Sequence, residues 1–418
     1  MQNASTKVSY HWIVNTLVYG FILLTQFDHF QLMGIISLSE IFLVLLFFLL
    51  VGAFALTGSI PVPKSFIWIS LLVVLGLAGS LTSSTPLVSL RKSISLAGMA
   101  LSFLVTYWLL RIDEWWSRTI MNAFIVAGFM ISIAAWIQWL AYYTNGIVIW
   151  QPKIYGWQQL HGVAFLGEQL LRVTAFYFDP NFLAFYLLLP LIFSYFRFTE
   201  PHRGLSKRLL IGVILCVIAG AFILTVSRGQ FLALLIVMSI GLLLSAKRWR
   251  NLLVVLLLIT ISAFIIAISN LVPVIASVRN YNPEAIMARL TAWKYGWLEL
   301  MNNPWLGVGL GVPVFNPEVP IGDPMMEEHN TYLQVARGTG IFGLVVFLSL
   351  LVRLIVQTLL YLRSRKDFIL SAYSYTFIAL VVGAISINAL LIKHFWIILA
   401  AQYALMTKRT QWKRKELA

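Results

Sequence analysis

Apolar residues run along this chain in blocks long enough to cross a bilayer, and polar residues gather in the intervals between them. Windows of about 19 residues place spans near 11–27, 38–57, 66–84, 91–110, 119–143, 181–198, 207–226, 228–246, 250–270, 331–360, 368–390 and 393–407. In hydrocarbon each span must satisfy its own backbone, so helices are expected throughout. The pattern predicts an all-α integral membrane protein with about twelve transmembrane helices, both termini on one side, and residues 1–418 forming a single polytopic domain.

The intervals are unequal. Most are short, but 144–180 and 271–330 are long, and long segments in a compact membrane protein usually carry function. Both are rich in Trp and Tyr, including Trp150, Trp157, Tyr177, Trp293, Trp297 and Trp305, which suits the headgroup layer. The second contains a helix legible from its ends. Asn282 is the expected N-cap, Pro283 the first helical residue, Glu284 lies near the positive end, and Asn302-Asn303-Pro304 is the stop. Ile286, Leu290, Trp293, Trp297 and Leu300 recur at three and four, predicting one apolar face for the bilayer surface or the bundle, with Arg289 a turn from Trp293.

Composition agrees: 60% of the 418 residues are hydrophobic and 11% charged, and mean hydropathy is +0.87, outside the range of soluble domains. The single cysteine, Cys216, lies in an apolar run, so no internal disulfide or thiolate metal site is expected. The first apolar stretch ends in Asp28-His29 with no small-x-small cleavage pattern, and is read as a retained span. A net charge of +15 raises the question of nucleic acid, but the basic residues are scattered between spans and form no stripe. Topology accounts for them instead. Twenty of the 30 basic residues fall on the side of the termini, which the positive-inside rule makes cytoplasmic, and nine of the 15 acids fall on the other.

The candidate chemistry is on that outer side. His329, in Glu327-Glu328-His329-Asn330-Thr331-Tyr332-Leu333, stands where a long polar segment meets a membrane-length helix. Its bland reading is a half-buried helix-start histidine, but Asn330 and Thr331 can cap that helix, leaving the imidazole for general-base work. Arg228, in Ser227-Arg228-Gly229 between two spans, is either a snorkelling turn residue or a phosphate ligand in the headgroup plane. Arg172 precedes Asp179-Pro180-Asn181, a turn and helix start; an interfacial anchor and a phosphate ligand both fit it. Gly307-Val308-Gly309-Leu310-Gly311 follows no strand, so a dinucleotide site is not expected and a flexible turn suffices. Asp323, Glu327, Glu328 and His329 match no zinc spacing and no metal is expected; the acids are expected to orient His329 or raise its pKa. Glu40 and His394, beside Lys393 at span ends, fit either interface anchoring or a proton route.

Several of these pieces resemble the O-antigen ligase and O-antigen polymerase superfamily of bacterial envelope glycosyltransferases. They are Leu224-Thr225-Val226-Ser227-Arg228-Gly229, Arg289 with its Trp-containing helix, Asn303-Pro304-Trp305-Leu306-Gly307-Val308-Gly309, and Glu328-His329-Asn330-Thr331-Tyr332-Leu333 followed by Gly338-Thr339-Gly340. The resemblance covers about the second half of the chain; the first 170 residues match only in hydropathy. It implies a multi-pass inner-membrane enzyme of GT-C type with a long, partly helical periplasmic loop. Such an enzyme moves a glycan from an undecaprenyl diphosphate carrier to a hydroxyl on a glycan or glycolipid acceptor, without cofactor and generally without metal. It also implies that Arg228 and Arg289 grip the donor diphosphate and that His329 activates the acceptor; Arg172 has a less definite counterpart and joins them by its placement.

Chemistry points the same way. Two guanidinium groups can stabilise a diphosphate leaving group without a Lewis acid, imidazole can take the hydroxyl proton, and no carboxylate is evident as covalent nucleophile, so a single displacement with inversion is expected. The rival is a transporter of an anion or a lipid-linked glycan. Transporters place paired polar residues on broken helices near the midplane, often in two related halves. Here the polar residues gather at the outer edge and the halves differ. Ligase and polymerase differ in acceptor, and the sequence leaves both open.

Overall fold

The computed structural model describes residues 2–28, 31–32, 36–56, 58–147, 149–150, 153–154, 157–158, 162–165, 168–244, 284–315, 327–364 and 367–417. Its helices are α1 (Gln2–Leu24), α2 (Leu38–Ala55), α3 (Ser65–Thr82), α4 (Pro86–Ile112), α5 (Trp115–Asn145), α6 (Pro180–Thr199), α7 (Leu205–Leu224), α8 (Arg228–Leu243), α9 (Glu284–Asn302), α10 (Thr331–Leu362), α11 (Phe368–Gly383) and α12 (Lys393–Leu417). Among the described residues, eight helical segments are long and apolar enough to cross a membrane: α2 to α7, α10, and α11 with the short turn after it. At 16 residues α8 is shorter. The span expected at 250–270 lies outside the described residues. The expected spans 91–110 and 119–143 are extended in the structure, since α4 starts at Pro86 and α5 runs from Trp115 to Asn145. Arg91 and Lys92 therefore sit within α4, not ahead of it.

Helix boundaries follow from the residues that hold them. Asp179 caps α6 by accepting from Asn181 N at 2.6 Å, with Pro180 at the first helical position, where its missing N–H is no loss. Glu40 closes a capping box with Ser37 at the start of α2, accepting from Ser37 N at 3.0 Å. The segment between α5 and α6 contributes two antiparallel hairpins that the hydropathy pattern does not reveal, Lys153–Ile154 with Trp157–Gln158 and Gly162–Phe165 with Glu168–Leu171.

The centre of the bundle is formed by α4, α5, α6, α11 and the first part of α12, where Trp116, Tyr186, Phe193, Tyr373 and Trp396 are fully buried. Helices α2, α3 and α7 are largely exposed and apolar, as lipid-facing helices must be. Alternation of direction brings one end of each helix to a common level. That level is tied together by Thr331 Oγ1 donating to Ile387 O (2.6 Å), Gln230 Nε2 donating to Gly383 O (3.2 Å), and a Lys393–Asp28 ion pair of 3.0 Å. At the opposite level Arg197 and Arg203 converge on Glu200 at 2.6 Å each.

Helix α10 is interrupted at Gly340, whose φ of 71° belongs to the left-handed region. The break is filled by the glycine-rich segment after α9. Ile341 N donates to Pro304 O at 2.7 Å and Val308 N to Arg337 O at 2.8 Å. A Cβ on Gly340 would lie 2.0 Å from Trp305 O, and one on Gly307 (φ 70°) would lie 2.2 Å from Arg337 O. The segment expected to be a flexible turn is thus a backbone wedge, and only glycine permits both the dihedral angles and the approach.

Candidate active site

Four segments meet at the level shared by the helix ends: the strap 172–179, the α7–α8 turn, α9, and the residues before α10. The strap is held by Gln138, a fully buried amide on α5. Its Oε1 accepts from Thr174 N (2.8 Å) and Ala175 N (2.9 Å), while its Nε2 donates to Ile149 O (2.9 Å). Arg172 is consequently fixed against the α7–α8 turn, with Nε donating to Thr225 O at 2.9 Å and Nη2 to Asn181 Oδ1 at 3.0 Å. Ser227 Oγ shares that acceptor at 2.8 Å. Three of the five guanidinium N–H groups of Arg172 take no part in these two bonds.

The three sequence-selected arginines come together. Burial above all, opposed by Asp179 and reinforced by the positive charges of Arg289 and Arg228, lowers Arg172 to about 10. Cations brought this close in a half-buried site repel one another, and a multiply charged anion relieves that repulsion. Arg228 is the first residue of α8, after Ser227 in extended conformation. An anion on it also meets the positive end of that helix.

Arg289 is half-buried on α9. The apolar face expected from Ile286, Leu290, Trp293, Trp297 and Leu300 divides in the structure. Ala292, Tyr295 and Leu300 are buried, whereas Met287, Leu290, Trp297, Leu298 and Met301 form an exposed stripe suited to a membrane interface. Both sides of α9 carry apolar residues, so period alone does not say which packs. The N-cap expected at Asn282 lies outside the described residues; the expected stop holds, with α9 ending at Asn302.

His329 adopts φ 45°, uncommon for a residue with a side chain. Ala175 (φ 47°) and Val226 (φ 48°) do the same in the strap and the turn. Of the five non-glycine residues with positive φ among those described, three therefore flank the arginines or supply the imidazole, the kind of clustering seen where a site dictates the backbone. Asn330 caps α10, its Oδ1 accepting from Tyr332 N (3.0 Å) and Leu333 N (3.2 Å). Thr331 instead bridges to the α11–α12 connection, so Asn330 is the cap and His329 is spared that duty. His329 Nδ1 is buried without a hydrogen-bond partner among the described residues.

The two described acids of the expected group, Glu327 and Glu328, bond to residues other than His329. Glu328 Oε1 accepts from Arg337 Nε at 2.5 Å, and Arg337 Nη1 also reaches Glu299 Oε2 at 2.8 Å, while Nη2 donates to Val312 O. Glu328 O accepts from Trp293 Nε1 at 2.7 Å, and Glu327 Oε2 accepts from Asn388 Nδ2 at 3.3 Å. Arg337, 3% exposed, thus joins α9, the glycine wedge and the residue before His329. An arginine inside a membrane-length helix is itself a sequence signal for such a role. Asp323 lies outside the described residues. Glu40 and Lys393 pair at 3.3 Å, and His394 is buried against Phe185 and Tyr186.

His329 opens onto a cavity of about 490 Å³ whose lining includes Glu327, Asp179, Asp28, Tyr177, Lys393 and His394. A larger cavity, about 800 Å³, lies at the opposite end between α5, α11 and α12. Its charges are satisfied locally, Glu114 by Lys408 at 3.8 Å and Arg118 by Glu200 at 3.3 Å. The smaller one combines an unpartnered imidazole nitrogen with Asp179, whose charge acts on Arg172, and it is the candidate reaction chamber.

Residues 211–348 match a family model described as O-antigen ligase, which supports the O-antigen ligase and polymerase family expected from the sequence. The match contains Arg228, Arg289 and His329 and leaves out Arg172. A comparison with curated proteins finds no match to the chain. At the family level these findings support a membrane-embedded glycan transferase of ligase or polymerase type.

Proposed function

We propose, taking that O-antigen ligase family match as the premise, that the protein is a GT-C-type inner-membrane glycosyltransferase. It transfers a glycan from an undecaprenyl diphosphate carrier to a hydroxyl acceptor at the periplasmic face, with inversion and without metal. The observation that carries this reading is the convergence of Arg172, Arg228 and Arg289 at the level of the buried, unpartnered His329 nitrogen.

In this reaction the arginines hold the diphosphate. Their planar forks match its oxygens, and their charge stabilises the negative charge that grows on the leaving group. The imidazole of His329 takes the proton of the acceptor hydroxyl, and the freed oxygen forms its bond to the anomeric carbon. The bond from that carbon to the diphosphate oxygen breaks with its electron pair, leaving lipid diphosphate. Glu328 is engaged by Arg337 and is not offered as a nucleophile. Against the transporter reading, the break in α10 is filled by the glycine wedge, with Val308 N on Arg337 O and Ile341 N on Pro304 O.

The test is a purified, reconstituted enzyme supplied with radiolabelled lipid-diphosphate glycan. Arg228→Ala and Arg289→Ala should abolish transfer and weaken donor binding while the protein stays folded, and lysine at either position should rescue poorly. Normal donor affinity in both alanine variants removes the diphosphate role.

A further inference from the structure

Arginines that tie the helices together are paired with carboxylates, Arg337 with Glu328 and Glu299, and Arg197 and Arg203 with Glu200. Arg172 is held differently. Its two bonds go to neutral acceptors, Thr225 O at 2.9 Å and Asn181 Oδ1 at 3.0 Å. Among the described residues no carboxylate is in contact with it. Asp179 acts on it through space, while the Oδ1 of that acid accepts from Asn181 N at the head of α6.

On stability alone, position 181 favours an acid. Asn181 is the second residue of α6, where a negative charge would meet the positive end of the helix, yet that first turn carries no acid. An aspartate has the same shape and would accept from the guanidinium through a charge-assisted bond about twice as strong as the neutral one. Asn181 is also buried, and its Oδ1 accepts a second bond, from Ser227 Oγ at 2.8 Å. One amide oxygen thus joins the strap to the residue before Arg228, and it does so without bringing a counter-charge to Arg172.

We propose that Asn181 is a positioning residue for the donor diphosphate: it aims Arg172, ties it through Ser227 to the head of α8, and leaves its charge to the anion. The inference rests on the transferase reading and adds to it the group that keeps Arg172 available. A carboxylate at this position would form an internal ion pair, which an incoming diphosphate would have to displace. The frame crosses the edge of the family match, with Arg172 and Asn181 outside residues 211–348 and Ser227 and Arg228 inside.

The experiment uses the full chain in nanodiscs and reads thermal unfolding, donor and acceptor KM, and binding of inorganic pyrophosphate by phosphorus NMR. Asn181→Asp keeps the shape and both accepted bonds, and the neighbouring arginines keep the new carboxyl ionised, so the melting temperature should hold or rise. Donor KM should nevertheless rise about 10–100-fold, the worth of one hydrogen bond to a charged group, with pyrophosphate binding weakened alike and acceptor KM unaltered. Asn181→Ala should also weaken pyrophosphate binding, but in an Arg172→Ala background it should add less than about twofold, because its effect passes through Arg172. Unchanged pyrophosphate binding in Asn181→Asp, binding that falls only together with the melting temperature, or a fully additive loss in the double variant overturns the proposal. Should Asn181→Asp fail to fold, the double variant decides. If the wild type transfers nothing from a lipid diphosphate, the transferase reading fails, and the pyrophosphate measurements still decide whether Asn181 keeps Arg172 available to an anion.

Discussion

Replacing Arg337 with alanine would break the ion network that joins α9 to the residue before His329. Arg337 bonds Glu328 at 2.5 Å and Glu299 at 2.8 Å, and also donates to Val312 O. Glu328 is 3% exposed, so without the guanidinium its carboxylate remains charged in a poor solvent or must take up a proton. Removing one partner of a buried pair typically costs about 3–5 kcal/mol, whereas a surface pair would cost under about 1 kcal/mol. The buried value applies to Glu328 and only partly to Glu299, whose side chain is 22% exposed. The expected loss is therefore about 3 kcal/mol, roughly a hundredfold in the folding equilibrium. The assay is thermal unfolding in detergent together with single-turnover transfer. Arg337→Ala should lower the melting temperature and slow transfer. Arg337→Met with Glu328→Gln should recover stability, because the stranded charge goes with its partner. An Arg337→Ala protein with unaltered melting and transfer would show that the network neither stabilises the wedge nor positions His329.

His329→Ala should lower the transfer rate on the order of 10²–10⁴-fold with donor still bound, and wild-type activity should be insensitive to EDTA; restoration by a divalent ion after chelation would refute the metal-free mechanism. Gly340→Ala should destabilise the protein by more than about 1 kcal/mol in thermal unfolding, since a side chain meets both the φ of 71° and Trp305 O; a neutral result would mean the wedge can move aside. For topology, single cysteines at 203 and 318 in a variant lacking Cys216 should label with an impermeant thiol reagent in intact cells only at 318; labelling at 203 alone would reverse the orientation.

Hydropathy by itself determined the helical membrane architecture, because a backbone in hydrocarbon has no alternative to helices or closed barrels. It also determined several boundaries, since Asp179-Pro180 and Asn330 act through bonds to their own neighbours in sequence. The arginines and histidine could be selected because charge at the edge of a span is expensive and so stands out. Which apolar helices form the centre and which face lipid was not legible, as both environments favour the same side chains. The faces of α9 were ambiguous for the same reason. The grip of Gln138 on the strap, the wedge of Gly307 against Gly340, the capture of Glu328 by Arg337 and the pairing of Asp28 with Lys393 join residues from 9 to 365 positions apart. No local pattern encodes such partners, and only the folded packing of the helix ends decided them.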